Sequence, residues 1–117
     1  MPISKPAKED ILDKLTESHR KGQKLAVRLV IGKKNAEAAA VKAANRKLQK
    51  QIDRLLTKLM KDWTGSAPSV IAKIGGINAK LQGVIRDIKK KIEVAQKVVR
   101  AIGLIDDAVS LAKDLAV

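Results

Sequence analysis

Apolar residues recur at intervals of three and four along most of the chain, which is the spacing of one face of an α-helix. The first such face has a weak middle, because serine and glycine occupy two of its positions. It consists of Ile11, Leu15, Ser18, Gly22, Leu25 and Leu29. Pro6 suits a first turn, where its missing backbone N–H needs no partner. The pattern predicts a helix over about 6–31.

The end of this first helix is marked by a change in pattern. Residues 25–31 (LAVRLVI) are apolar nearly all round, which predicts burial on several sides, with a short strand as the alternative. Gly32 favours a helix end, and Asn35 is a good N-cap for a new helix. A helix continuing through Gly32 is the other interpretation, because a lone glycine costs only about 1 kcal/mol inside a helix.

The strongest helical signal lies between Ala36 and Trp63, where alanines raise the helix propensity. One apolar face follows this segment, made of Val41, Ala44, Leu48, Ile52, Leu55, Leu59 and Trp63. A turn signal comes next, in which Gly65 ends one helix and Ser66 caps another. We therefore expect a helix over about 36–63 and a new one from Pro68.

The repeat then continues almost to the end of the chain. Its members are Ile74, Ile77, Leu81, Val84, Ile88, Ala95, Val98, Ile102, Ile105, Val109, Ala112 and Ala116, and the face is widened by Ile71, Ile85, Ile92 and Val99. This predicts a long helix over about 68–116, with kinks expected near 75–76 and at Gly103. Asp106 and Asp107 would then lie near the start of a last short helix.

These patterns predict an all-α protein with a single helical domain over residues 1–117. Faces this wide need covering, so we expect a bundle of three or more long amphipathic helices. The alternative is a long two-helix hairpin that dimerises into a four-helix bundle. The choice depends on whether the chain folds back at Gly32, and we expect self-association in either case.

Few residues are suited to catalysis. The chain has no cysteine and one histidine, His19, which argues against thiolate chemistry, a metal site and a catalytic triad. No phosphate-binding loop or dinucleotide fingerprint is present. Asp106 and Asp107 would point about 100° apart on a helix. We expect a non-enzymatic protein without cofactor, metal or small-molecule substrate, in which His19 is a solvated surface residue.

Charge is the most informative part of the composition, because 25 basic residues against 12 acidic ones leave a net charge of +13. The basic stripe, as we name it, lies opposite the apolar face of the second helix. It comprises Lys42, Arg46, Lys50, Arg54 and Lys58 at intervals of four, with Lys47 and Lys61 alongside. Like charges four apart destabilise a helix by about 0.2–0.5 kcal/mol per pair. Their accumulation around one acid, Asp53, therefore indicates a polyanionic partner.

Three kinds of partner fit the basic stripe. An acidic protein is the leading hypothesis. Nucleic acid is the alternative, bound nonspecifically through phosphates because there are no aromatic stacking platforms. An anionic membrane surface is the third.

Two other features are candidates for binding. A second basic cluster is interrupted by acids; it comprises Arg86, Lys89, Lys90, Lys91, Lys97 and Arg100. Trp63 is expected to pack over the end of the core, with a role as a weak partner anchor as the alternative.

The sequence leaves the compartment open. No apolar run approaches the roughly 20 residues of a membrane span, and the first residues lack the apolar core of a secretory signal. The cytoplasm is therefore the expectation, with export independent of a cleaved signal as the alternative.

A short motif bears on this alternative. Trp63-Thr64-Gly65 is a W-x-G at a turn between two helical arms, and it resembles the WXG100 family of small secreted helical-hairpin proteins. The resemblance implies dimerisation and export by a dedicated secretion machine. It covers the motif and the overall layout. The chain departs from the family in its late turn, its strong positive charge and its lack of tyrosine for the C-terminal Y-x-x-x-D/E signal.

Overall fold

A computed structural model describes residues 2–116, which form an all-α bundle without strands in that range. Its four helices are α1 (Lys5–Ile31), α2 (Asn35–Thr57), α3 (Ala67–Lys89) and α4 (Val94–Lys113). The predicted all-α class and the bundle of three or more helices are confirmed. Serines begin two of the helices, because the Ser4 and Ser66 hydroxyls accept backbone N–H groups of α1 and α3.

The helices are ordered α1, α2, α4, α3 around the bundle, so α2 and α3 lie diagonally opposite. Short turns make α1 antiparallel to α2, and α3 antiparallel to α4. Because α2 ends and α3 begins at the same end of the bundle, α1 runs parallel to α3. Between these two helices Lys21 Nζ donates to Gln82 Oε1 at 2.9 Å. This arrangement gives the molecule two ends. The tip carries turns 32–34 and 90–93, and the base carries residues 2–4, residues 114–116 and the connection 58–66.

At the base, backbone hydrogen bonds join the residues before α1, the connection 58–66 and the residues after α4. The Ile3 amide donates to the Trp63 carbonyl at 3.1 Å, and the Thr64 amide donates to the Leu115 carbonyl at 2.7 Å. Because α2 and α3 are diagonal neighbours, the connection 58–66 must cross this end of the core. The crossing brings the buried side chains of Ile3, Trp63 and Leu115 together.

A break at Gly32 is confirmed, but its details differ from the prediction. α1 ends at Ile31, Gly32 follows in an ordinary conformation, and Lys33 takes the left-handed position with φ 62°. The prediction of Asn35 as an N-cap is wrong. Lys34 occupies that position without a side-chain hydrogen bond, and Asn35 is the first residue of α2.

The expected long helix over 68–116 is wrong in one place. It breaks at 90–93, where Lys91 and Glu93 have φ values of 61° and 44°. The kinks expected near 75–76 and at Gly103 are absent, because these glycines continue α3 and α4 and a Cβ at each would meet open space. Tertiary packing outweighs a glycine penalty of about 1 kcal/mol. Asp106 and Asp107 accordingly lie inside α4, exposed.

The second helix is shorter than the expected 36–63, ending at Thr57.

The sequence pattern also mispredicts burial near the tip, where several residues assigned to apolar faces are exposed. These are Val27, Val30, Ile31, Ile92 and Val99. Each lies on a part of its helix or turn that faces solvent. The helical period alone does not reveal where a neighbouring helix stops covering a face.

The weak middle of the α1 face is a polar layer inside the bundle. Ser18, Asn45 and Asn78 are all buried there. The Ser18 hydroxyl donates to Asn78 Oδ1, and Asn78 Nδ2 donates to the Lys14 carbonyl at 3.1 Å. Asn45 Nδ2 donates to the His19 carbonyl at 2.9 Å, and its amide occupies the space that glycine at position 22 leaves free. The Ser18–Asn78 hydrogen bond and the bonds of both asparagine Nδ2 groups to α1 carbonyls favour one alignment of the helices over shifted alternatives.

Candidate polyanion-binding face on helix α2

The outer face of α2 presents part of the basic stripe to solvent. Lys42, Arg46, Lys47 and Lys50 are exposed. The opposite face, which includes Val41 and Leu48, is fully buried against the bundle. Since α2 packs only against α1 and α4 among the described helices, nothing in residues 2–116 covers this outer face. The predicted separation of apolar and basic faces is therefore present from Lys42 to Lys50, which is about two turns of α2.

These exposed charges have no carboxylate partners within the described chain. The ion pairs in residues 2–116 join Lys21 to Glu17 at 3.8 Å and Lys97 to Asp87 at 3.2 Å. Asp53, the acid within the stripe, accepts a hydrogen bond from Gln49 Nε2 at 2.8 Å. The stripe therefore keeps its positive field, which is the condition for attracting an anionic surface.

Arg54 does not belong to this free surface, contrary to its assignment from the sequence. Its half-buried guanidinium crosses to α4 and donates from Nη2 to the Ala112 and Lys113 carbonyls at 3.1 and 3.3 Å. Nη1 donates to the Ala116 carbonyl. Carbonyls at a helix C-terminus lack intrahelical partners and carry partial negative charge. Arg54 therefore caps α4, and its role is to hold two parallel helices together.

Lys58 and Lys61 are also displaced from the predicted row. Lys58 is half-buried beyond the last turn of α2, and its carbonyl accepts the Trp63 indole N–H at 2.9 Å. Lys61 is exposed but lies in the connection 58–66, outside the helix. Because α2 ends at Thr57, the interval of four no longer aligns these lysines with Lys50.

The division of the stripe predicts that two neighbouring cations, Arg54 and Lys50, contribute differently to the stability of the fold. Arg54→Ala is expected to lower the free energy of unfolding by about 1–2 kcal/mol, because it removes the charged guanidinium that donates to the C-terminal carbonyls of α4. Lys50→Ala, the matched control on the exposed face, is expected to change it by less than about 0.5 kcal/mol. Urea unfolding followed by circular dichroism measures both. Equal values would contradict the capping role of Arg54.

Trp63 is fully buried, so its interpretation as a partner anchor is wrong and the core interpretation is correct. Sequence reasoning missed its neighbour Lys8, which is also buried. Lys8 Nζ donates to the Leu59 and Lys61 carbonyls at 2.8 and 2.6 Å and lies 5.5 Å from the centroid of the indole ring. The sequence does contain a sign that Lys8 is buried, because Lys8 precedes Ile11 by three residues and so lies on the apolar face of α1.

His19 is half-buried rather than solvated as predicted. Burial lowers its pKa below the ordinary value of 6.5, and the negative charge of Asp53 offsets part of that effect. His19 is therefore mostly neutral at pH 7 and adds little charge to the neighbouring stripe. It lines a cleft of about 530 Å³ between α1 and α2, whose rim carries Lys42 and Arg46.

Two further features bear on the kind of site. Within residues 2–116, no three His, Asp or Glu side chains come together as a metal-binding group would require. None of the described helices combines the length and apolar character needed to cross a membrane.

Comparison with protein-family models, with curated proteins and with solved structures finds no match to this chain. The helical hairpin implied by the W-x-G motif is not what the chain forms. Trp63 instead closes the base of a four-helix bundle, and the turn that contains it joins two diagonal helices.

Proposed function

We propose that the protein is a non-enzymatic helical bundle that docks an acidic protein through the exposed part of the basic stripe. The observation that carries this proposal is that Lys42, Arg46, Lys47 and Lys50 are exposed together on α2 with no carboxylate partner among residues 2–116. The net charge of +13 adds long-range attraction to any acidic surface.

The dimensions of the surface favour a protein over nucleic acid. From Lys42 to Lys50 the stripe spans about 12 Å of helix, at about 1.5 Å per residue. A helix with carboxylates at the same interval of four would match it. On duplex DNA a patch this short reaches few phosphates. Nucleic-acid binding would thus show a shallow salt dependence, since the slope follows the number of phosphates contacted.

The triple variant Lys42→Glu/Lys47→Glu/Lys50→Glu tests the proposal with polyglutamate as the probe. We expect at least about tenfold weaker binding, because each reversal replaces attraction with repulsion. Fluorescence anisotropy of labelled polyglutamate measures it, and circular dichroism checks that helicity is retained. The matched control Lys5→Glu/Lys73→Glu/Lys80→Glu makes the same change of net charge at exposed lysines elsewhere.

Equal losses in the two triple variants would overturn the proposal, because net charge alone would then explain binding. Binding of duplex DNA that exceeds polyglutamate binding, and that the stripe variant abolishes, would instead support the nucleic-acid alternative. Light scattering of the same samples tests the separate prediction of self-association.

A further inference from the structure

The tip of the bundle brings together two turns that are far apart in the sequence. Turns 32–34 and 90–93 flank a cleft of about 480 Å³. Residues from both sides line it, among them Arg28, Ile31 and Lys34 from one and Lys89 and Lys91 from the other. The tip lies at the opposite end of the molecule from Arg54 and Trp63, so the contacts that close the base leave it untouched.

Exposed aliphatic side chains are concentrated around this end. Ile31 is 70% exposed and Ile92, on the other turn, is 47% exposed. Val30 and Val99 are 46% and 72% exposed. Single exposed apolar residues are ordinary, but several on adjoining turns are typical of an interaction surface.

The two turns and the helix ends beside them also carry six cations, Arg28, Lys33, Lys34, Lys89, Lys90 and Lys91. The nearby acids offset little of this charge. Asp87 is paired with Lys97, Glu37 is half-buried in the first turn of α2, and Glu93 is exposed. Two copies of the tip would repel each other, so this charge argues against a second copy as the occupant.

Both turns contain a lysine in the left-handed backbone conformation, and turn 90–93 also has Glu93 in it with φ 44°. Lys33 and Lys91 have φ values of 62° and 61°, and each directly follows the C-cap residue of a helix. This left-handed position usually takes glycine, which has no Cβ to clash. Strain retained where glycine would relieve it is commonly associated with function. Here the retained feature is a lysine at the apex of each turn.

We propose that the tip docks on the surface of an anionic lipid bilayer. The aliphatic side chains of both turns enter the boundary between headgroups and acyl chains, while the lysines extend their amines to the lipid phosphates and carboxylates. A fluid bilayer suits two separate turns because it needs no fixed shape complementarity. This surface is separate from the stripe on α2, so the proposal does not depend on the one above.

The full-length protein, titrated with vesicles of phosphatidylcholine alone or mixed with phosphatidylserine, tests this proposal by co-sedimentation. We expect binding to the mixed vesicles only. In Lys33→Gly/Lys91→Gly the affinity should fall about fivefold per lysine. The melting temperature of the same variant should rise, because glycine relieves both strained positions. A variant that is more stable but binds less cannot be explained by misfolding.

Two controls separate the tip from the rest of the surface. Lys73→Gln/Lys80→Gln removes the same charge from exposed positions of α3 and should leave vesicle affinity within about twofold, since these lysines lie away from the tip. The stripe variant of α2 should keep the larger part of its vesicle binding. If it does not, the stripe rather than the tip holds the lipid surface and this proposal is overturned.

The depth of the tip can be read directly, because the chain has no cysteine and one can be placed at will. An environment-sensitive dye on Ile92→Cys should shift to the blue with mixed vesicles, and the same dye on Met60→Cys at the base should not. Equal shifts at both positions, or none at the tip, would overturn the proposal. Binding of polyglutamate that the two glycine substitutions abolish, without vesicle binding, would assign the tip to an acidic protein instead.

Discussion

Trp63→Ala is expected to lower the free energy of unfolding by about 3–5 kcal/mol, the range found for removing a large buried aromatic side chain. The indole is fully buried, stacks beneath the Lys8 amine and donates its N–H to the Lys58 carbonyl. Its removal leaves a cavity where the connection 58–66 crosses the base, and it leaves that carbonyl without its donor. Domains of this size are stable by about 5–15 kcal/mol, so the loss is a large fraction of the total.

Urea unfolding followed by far-ultraviolet circular dichroism measures this loss, since the variant has no tryptophan fluorescence. Met60→Ala is the matched control, because Met60 lies in the same connection and is 91% exposed. We expect it to change stability by less than about 0.5 kcal/mol. Comparable losses in both variants would show that the connection 58–66 is sensitive throughout and that the indole has no special role.

Gly22→Ala is expected to destabilise the fold by about 1–3 kcal/mol, the usual cost of overpacking a core. A Cβ at position 22 would lie 2.5 Å from Asn45 Oδ1, too close for any real contact. The Asn45 amide cannot withdraw without losing its bond to the His19 carbonyl. Gly103→Ala makes the same chemical change at a helical glycine with open space around it. That control should gain up to about 1 kcal/mol from higher helix propensity.

The two alanine variants should thus change stability in opposite directions, which thermal and urea unfolding will resolve. Combining Gly22→Ala with Asn45→Ala provides a further check, since the smaller side chain removes the clash. The double variant should be more stable than the sum of the separate Gly22→Ala and Asn45→Ala losses implies. Simple additivity would mean that the glycine is needed for some reason other than the Asn45 amide.

Much of the bundle could be predicted because helical period and turn chemistry are local properties. The α1 face, the break at Gly32 and the turn before Pro68 each depend on residues that are close together in the chain. The break at 90–93 has no such signal. No glycine or proline marks it, and lysine and glutamate adopt the left-handed conformations that end α3 and begin α4. The chain turns there because α4 must return along the bundle, which is a demand of packing.

The candidate site shows the same division. Helical periodicity alone places Lys42, Arg46 and Lys50 on one outward face of α2, because side chains four residues apart project from the same side of a helix. The same periodicity assigns Arg54 to that face as well. Its different role depends on the parallel neighbour α4, whose C-terminal carbonyls lie within reach of the guanidinium. A contact between residues so distant in the chain has no counterpart in local spacing.

Helix class, the apolar face of each helix and the excess of positive charge follow from the order of residues, since each depends on neighbours within one or two turns. Which cations remain free was decided only by the tertiary structure. Packing placed Lys8 against the indole and Arg54 on α4, and it left Lys42, Arg46, Lys47 and Lys50 in solvent. It also placed turns 32–34 and 90–93 side by side at the tip. The physical reason is that hydrogen bonding and burial depend on where helices meet, and sequence period specifies only which way a side chain points.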